Sequence, residues 1–126
     1  MSHTMTYNAE LQIIELTVQG NVAWAEALEM ISESAQLIQK SNCFRVLSNY
    51  SEATVQLSTV EIYRLPQILS ETLASLGIWV HQVKRALVVA KDLQDFQFFD
   101  TVSSNRFQKT KIFRDLTEAK NWLLAQ

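Results

Sequence analysis

Apolar and polar side chains alternate over residues 11–18, which is the pattern of a half-buried β-strand. The apolar face of this strand carries Ile14, Leu16 and Val18. The dipeptide Gly20-Asn21 follows and predicts the end of the strand. Residues 4–7 are predicted to form an antiparallel partner strand, with Asn8-Ala9 in the turn. The chain is therefore expected to begin with a β-hairpin.

A different period governs residues 22–40, where apolar side chains recur at spacings of three and four and predict an amphipathic helix. The apolar stripe of this helix consists of Trp24, Leu28, Ile31, Ala35 and Ile38. Asn21 is its expected N-cap, because an asparagine side chain can accept a hydrogen bond from the first helical turn.

A second helix is predicted to start at Ser58-Thr59-Val60-Glu61, which has the spacing of a capping box. In this motif Ser58 accepts from the backbone N–H of Glu61, whose side chain reaches back to Ser58. An apolar row follows, made of Ile62, Leu65, Leu69, Leu73 and Leu76. Gly77 is the expected end of the helix. Pro66 removes a backbone donor and crowds the preceding turn, so a kink or break near residues 63–65 is predicted, giving two unequal pieces.

Short apolar runs predict the remaining strands. Residues 43–47 read as a buried strand followed by a polar loop over 48–56, and residues 85–90 as a central parallel strand. A helix from about 93 to 106, a strand at 111–113 and a helix at 118–125 are predicted to follow. The order β-β-α-β-α-β-α-β-α predicts an α/β protein with a mixed, mostly parallel sheet and four flanking helices. No linker or repeat interrupts it, so residues 1–126 are expected to form a single domain.

Composition narrows the function classes. The 126 residues carry 13 acidic and 11 basic side chains, a net charge of −2 without the clustered Lys and Arg that phosphate backbones require, so nucleic acid is not an expected partner. Cys43 is the single cysteine, which excludes an intramolecular disulfide and a thiolate zinc site. No apolar run reaches the roughly 18 residues of a membrane span. A cytoplasmic protein is the expectation that fits these features.

Several of these segments also resemble a known family. They are the strand 84–89, the aromatic helix through Phe96 and Phe99, the strand with Phe113, the ending 116–123 and the N-terminal strand 11–20. In these segments the chain is similar to the SpoIIAA-like branch of STAS domains, a superfamily that includes bacterial anti-sigma factor antagonists. The resemblance implies a sheet of four or five strands flanked by helices, similar in fold to the lipid-binding CRAL-TRIO (Sec14-like) domain. It also implies a family whose members mostly lack an assigned activity.

The resemblance draws attention to Ser58. In the antagonists a regulatory serine lies at the start of the helix after a core strand, within an Asp-Ser-Ser-Gly type motif. The corresponding segment here is Leu57-Ser58-Thr59-Val60, which retains the hydroxyl pair but replaces the Asp by Leu57 and the Gly by Val60. Ser58 is thus a candidate for phosphorylation at the positive end of a helix, and it is also explained by its role as a helix cap.

Other candidates have structural explanations of their own. Nine aromatic side chains could line a pocket for an apolar ligand or fill the core: Trp24, Phe44, Trp79, Phe96, Phe98, Phe99, Phe107, Phe113 and Trp122. Five basic residues could converge on an anion or be scattered surface charge: Arg45, Arg64, Lys84, Arg85 and Arg106. Cys43, Ser48, Tyr50, Ser51 and His81 could support nucleophilic or general-base chemistry, but they form no recognisable catalytic motif.

The function predicted from the sequence is therefore that of a non-enzymatic STAS-like module with no cofactor, acting in protein–protein interaction. Its expected contact region is the segment 48–59, with Ser48, Tyr50, Ser58 and Thr59 as the candidate residues, because ligands of open α/β sheets bind beyond the carboxyl ends of the strands. The alternative is a carrier or sensor of a small apolar or lipid-like ligand. A homodimer is a further arrangement that the sequence leaves open.

Overall fold

A computed structural model describes residues 1–90 and 109–125 of the chain. Its five strands form one sheet in the order β1-β2-β3-β4-β5. The strands are β1 (Ser2–Asn8), β2 (Ile13–Val22), β3 (Arg45–Val55), β4 (Lys84–Val88) and β5 (Lys109–Phe113). β1 pairs antiparallel with β2, and every later pairing in the sheet is parallel. The predicted hairpin and the mostly parallel sheet are confirmed, but the turn covers residues 9–12, since Asn8 belongs to β1 and β2 begins only at Ile13.

Three helices in the described part of the chain flank this sheet: α1 (Trp24–Ser41), α2 (Thr59–Ser75) and α3 (Leu116–Leu124). A 3₁₀ turn at Val80–Gln82 precedes β4. The helix predicted near residues 93–106 lies outside the described residues. The α/β class and the order of the other elements are as predicted.

The two faces of the sheet bury different side chains because neighbouring residues of a strand point in opposite directions. Ile13 and Ile14 are both fully buried, yet Ile13 packs with Ala119 and Leu123 of α3 while Ile14 packs with α1 and α2 residues such as Ile38. Helices α1 and α2 therefore cover one face of the sheet, and α3 covers the other.

Strand β2 is longer than predicted. Gly20 adopts a positive φ of 87° but stays in the ladder, opposite Ala53 of β3, and Asn21 pairs with Thr54. The Asn21 and Thr54 side chains also hydrogen-bond to each other across the two strands. The prediction that Asn21 caps α1 is therefore wrong, since Ala23 occupies the N-cap position and makes no side-chain cap.

The predicted loop at 48–56 is wrong for the same reason, because β3 continues to Val55 alongside β2. A β-bulge interrupts this pairing: Thr17 lies opposite Asn49 and Gln19 opposite Glu52, so two residues of β3 face one of β2. The polar composition of this segment is compatible with a strand because the half near Val55 is mostly exposed or half-buried.

Helix α2 is continuous through Pro66, so the predicted division into two pieces is also wrong. Pro66 is fully buried and lies in the same apolar row as Ile62, Leu69 and Leu73. Burial of this row against the sheet and α1 stabilises the helix on both sides of the proline. The loss of one backbone donor does not outweigh that packing.

Candidate functional site

A cavity lies between the helix-covered face of the sheet and helices α1 and α2, with about 80 Å³ of space for the centres of water-sized groups. It extends from Val46 and Val83, near the amino ends of β3 and β4, to Val22 and Val55 at the carboxyl ends of β2 and β3. The cavity thus runs beneath the helices along the strands.

The walls of the cavity are mainly aliphatic. Helix α1 contributes Ala27, Met30, Ile31, Ser34 and Ile38, and helix α2 with its approach contributes Leu57, Ile62, Leu65 and Leu69. These residues recur at spacings of three and four, so each helix turns one apolar stripe toward the sheet. Ala27 and Ser34 are the small side chains of this wall.

Three polar side chains reach the cavity from the sheet: Ser48 and Tyr50 of β3 and Arg85 of β4. Arg85 alternates with Ala86 and shares the face of Leu87, which packs on Ile62 of α2. The Nη1 atom of Arg85 is buried. A cation therefore stands on the core face of a central strand.

Electrostatics couple Arg85 to Tyr50. Burial raises the pKa of the Tyr50 hydroxyl, and the positive charge of Arg85 partly opposes that rise. Burial likewise lowers the pKa of Arg85, with Tyr50 acting in the opposite direction. At neutral pH the phenol is consequently a protonated hydrogen-bond donor beside a guanidinium.

The β-bulge sets the position of Tyr50. Tyr50 and Ser51 are the two β3 residues that face Val18 of β2. The Asn49 side chain accepts a hydrogen bond from the backbone N–H of Ser51 at 3.0 Å, which stabilises the bulge locally. A bulge changes the direction in which a side chain leaves the strand, and here Tyr50 lines the cavity.

Ser58 and Thr59 lie outside this cavity, exposed at the start of α2. The predicted capping box is present: the Ser58 Oγ accepts from the Glu61 backbone N–H at 3.1 Å, and the Ser58 N–H donates to Glu61 Oε1 at 2.8 Å. Val60 and Tyr63 on the same first turns are 68% and 51% exposed. This end of α2 therefore presents an apolar pair beside two hydroxyl groups.

The four residues singled out in the sequence thus separate into two places. Ser48 is only 3% exposed and lines the cavity with Tyr50, whereas Ser58 and Thr59 are on the surface. They do not form one contact region, because segment 48–55 is a strand beneath α2. Their functional roles remain predictions.

The basic residues of this set that the structure describes are spread over several places, although Arg45 and Lys84 pair directly on β3 and β4. Arg64 lies over the Trp24 ring at 5.4 Å, and the Lys84 Nζ lies over the Trp122 ring at 4.4 Å. Arg85 is the one of the described set that lines the cavity, and Arg106 is outside the described residues. The sequence did indicate that Arg85 is unusual, because it is the first residue of an otherwise apolar predicted strand. The face of the sheet on which its side chain lies depends on strand pairing.

The aromatic and catalytic candidates are similarly dispersed. The described members of the aromatic set do not line the cavity, and Trp79 is 69% exposed. Cys43 is buried and its Sγ donates to the Gln12 carbonyl, while His81 is exposed beside the Trp79 ring. Within residues 1–90 and 109–125 no group of acidic, His and Cys side chains is arranged to hold a metal ion.

Comparison with known structures defines the architecture. The chain is similar to the anti-sigma factor antagonist SpoIIAA in its unphosphorylated form, with a TM-score of 0.57, 8% identity and coverage of 93% of this chain and 92% of that one. The chain has the SpoIIAA-like fold. This confirms the predicted fold resemblance, although no family model and no curated protein sequence matches the chain.

Two further structures share the SpoIIAA-like fold. An anti-sigma factor antagonist from Mycobacterium paratuberculosis gives a TM-score of 0.59 at 12% identity, covering 98% of this chain and 96% of that one. An uncharacterized DUF3478 protein with a SpoIIAA-like fold from Shewanella loihica PV-4 gives 0.53 at 14% identity, covering 97% and 92%. No helix in the part of the chain that the structure describes is long and apolar enough to cross a membrane.

Proposed function

We propose that the chain is a non-enzymatic regulatory module that binds a protein partner through the start of α2. The observation that carries this proposal is the exposed pair Val60 and Tyr63 next to Ser58. Large apolar side chains one helical turn apart on a surface are suited to bury against a partner, and tyrosine is enriched among the residues that dominate binding energy. The SpoIIAA-like fold supports the proposal, since anti-sigma factor antagonists share it.

Phosphorylation of Ser58 would provide the regulation. The hydroxyl is exposed at a helix N-terminus, where a phosphate is favoured by the helix dipole and free N–H groups. A phosphate there would also repel the Glu61 carboxylate, which lies 2.8 Å from the Ser58 backbone nitrogen. Modification would therefore replace the capping box and change the surface beside Tyr63. SpoIIAA itself has been described in a phosphorylated form.

Affinity capture from the native host tests partner binding. The wild-type chain is expected to retrieve a stable protein partner, and Tyr63→Ala is expected to weaken retrieval because it removes the larger exposed side chain of the pair. Tyr7→Ala is the matched control, since Tyr7 is an exposed tyrosine on β1. Recovery of the chain alone, or equal loss in both variants, would contradict the proposal. Intact-mass analysis of the same material tests Ser58 modification.

A second function is favoured by the cavity: binding of a small, largely apolar ligand. About 80 Å³ of space beneath α1 and α2 is more than one water molecule needs, and its walls are mainly apolar. Native mass spectrometry of host-purified protein tests this function. A constant added mass that disappears on denaturation supports it, and the mass of the bare chain under all preparations argues against it.

A further inference from the structure

The floor of the cavity combines its polar groups in one small area. Val46 of β3 pairs directly with Arg85 of β4, and Ser48 pairs with Leu87, so Ser48 is the diagonal neighbour of Arg85. On the other side, Arg85 pairs with Thr110 of β5, whose buried Oγ1 has no hydrogen-bond partner among the described residues. Tyr50 follows Ser48 on β3 at the bulge. Residues that carry hydroxyl groups therefore lie beside Arg85 on both neighbouring strands.

These polar groups can all donate hydrogen bonds. The guanidinium is a donor in a planar fork, the Tyr50 phenol stays protonated because its pKa is raised, and the Ser48 hydroxyl can donate as well. Among the lining residues that the structure describes, Arg85 supplies a positive charge and no carboxylate occurs. The cavity floor is thus suited to an anionic acceptor, and a carboxylate matches the fork of an arginine bidentately.

The remaining walls define the body of the ligand. They are aliphatic side chains of α1 and α2, which favour an uncharged hydrocarbon part. At about 10–15 Å³ for each water-sized group, 80 Å³ accommodates about five to eight such groups. A second charge would meet these aliphatic side chains, and a long acyl chain would extend beyond this space. A small body with one anionic end fits best.

We propose that the cavity binds a compact monocarboxylate of about five to eight non-hydrogen atoms, with its carboxylate on Arg85 and its hydrocarbon part between α1 and α2. Tyr50 and Ser48 are placed to donate hydrogen bonds to the same carboxylate. This inference rests on the second function proposed above, that the cavity holds a ligand. It is independent of partner binding at Tyr63, which does not line the cavity.

Titration calorimetry and thermal unfolding of the purified chain with n-alkanoates, from acetate to dodecanoate, test the inference. Butyrate and hexanoate are expected to bind most tightly, and hexanoate at least about tenfold more tightly than the neutral hexanamide. Arg85→Gln is expected to abolish this preference. Arg45→Gln removes the same charge next to Val46 on the opposite face of β3 and should preserve it.

If Arg85→Gln does not fold, Arg85→Lys provides the comparison, because it keeps the charge but loses the bidentate fork and should weaken hexanoate binding several-fold. Ala27→Leu, which fills the cavity from α1, should reduce binding of every member of the series. Equal binding of hexanoate and hexanamide, or tightest binding of dodecanoate, would overturn the monocarboxylate assignment while leaving the cavity as a ligand site. Binding of no member of the series would also overturn the monocarboxylate assignment, and the native mass spectrometry described above would then decide separately whether the cavity holds another ligand.

Discussion

Ser58 connects local sequence to stability through two reciprocal hydrogen bonds with Glu61. Ser58→Ala removes the side-chain acceptor and is expected to lower the free energy of unfolding by about 0.5–2 kcal/mol, measured by urea denaturation. Ser58→Asp keeps an acceptor at the N-cap and should retain most of this stability. Thr59→Ala is the control, because Thr59 lies one position beyond the cap. Equal destabilisation by Ser58→Ala and Thr59→Ala would mean that the cap contributes nothing specific.

Tyr50 should make stability sensitive to alkaline pH. Its pKa is raised above the ordinary value of 10.0 in the folded chain. As the pH rises above about 10, Tyr50 therefore loses its proton in the unfolded chain before it does so in the folded chain. The stabilisation from neutral Tyr50 is fully present below that pH and is lost as pH rises through the folded-state pKa. The free energy of unfolding, measured by urea denaturation between pH 8 and 11, should decline less for Tyr50→Phe than for wild type. An equal decline in the two proteins would contradict this role of Tyr50.

Ser58 and Arg85 show how much the sequence can predict at the scale of single residues. The capping box was predictable because its partners are three positions apart and need only a local helix. The placement of Arg85 was not, since one residue of register decides whether it points to α1 and α2 or to α3. Its position beside Val46 and Thr110 follows from pairings with β3 and β5, which lie far away in the sequence.

At the scale of elements, the end of α2 is a Schellman motif. The Gly77 N–H donates to the Ala74 carbonyl and the Ile78 N–H to the Leu73 carbonyl, both at 2.9 Å, and Ile78 and Leu73 pack in one apolar cluster. Gly77 has a positive φ of 79°, and a Cβ there would meet nothing within 4 Å. Backbone conformation, rather than space, is therefore the reason for glycine.

Gly77→Ala is accordingly expected to lower the free energy of unfolding by about 1–2 kcal/mol, because a Cβ disfavours left-handed backbone. Gly77→Asn should have a smaller effect, since asparagine tolerates this conformation. Urea denaturation of both variants measures the difference. An alanine variant as stable as wild type would show that the turn can adopt another conformation.

Element boundaries were harder to predict than element types. The segment after Leu47 is polar, and polarity alone favours a loop, but pairing with β2 extends it as a strand to Val55. Pro66 likewise has a strong local preference that burial of its helix face overrides. In both cases the decisive interaction is tertiary, which periodicity within a short window does not contain.

In the part of the chain that the structure describes, apolar cores lie on both faces of one sheet. Adjacent residues Ile13 and Ile14 are both fully buried on opposite faces, so unfolding either helical layer would expose one side of β2. Apolar exposure costs roughly 25 cal/mol for each Å². The layers should therefore unfold together, and the chain should behave as the single domain expected from its sequence.

Single-tryptophan variants test this cooperativity. Trp24 belongs to α1, where Arg64 lies over its ring, and Trp122 belongs to α3, where it contacts Phe113 with ring centroids 5.6 Å apart. In a variant retaining either tryptophan alone, the fluorescence transition in urea should coincide with that of far-UV circular dichroism.

Ile13→Val removes one methyl group from the α3 side of the sheet. Added to either single-tryptophan variant, it should lower the free energy of unfolding by about 0.5–1.5 kcal/mol, whether Trp24 or Trp122 is the reporter. The Trp24 reporter decides the question, because it lies across the sheet from the substitution. A fall confined to the Trp122 transition would mean that α3 unfolds separately. Equal falls at both reporters are expected because β2 belongs to both cores, so loss of α3 alone would expose the Ile13 face of this strand to water.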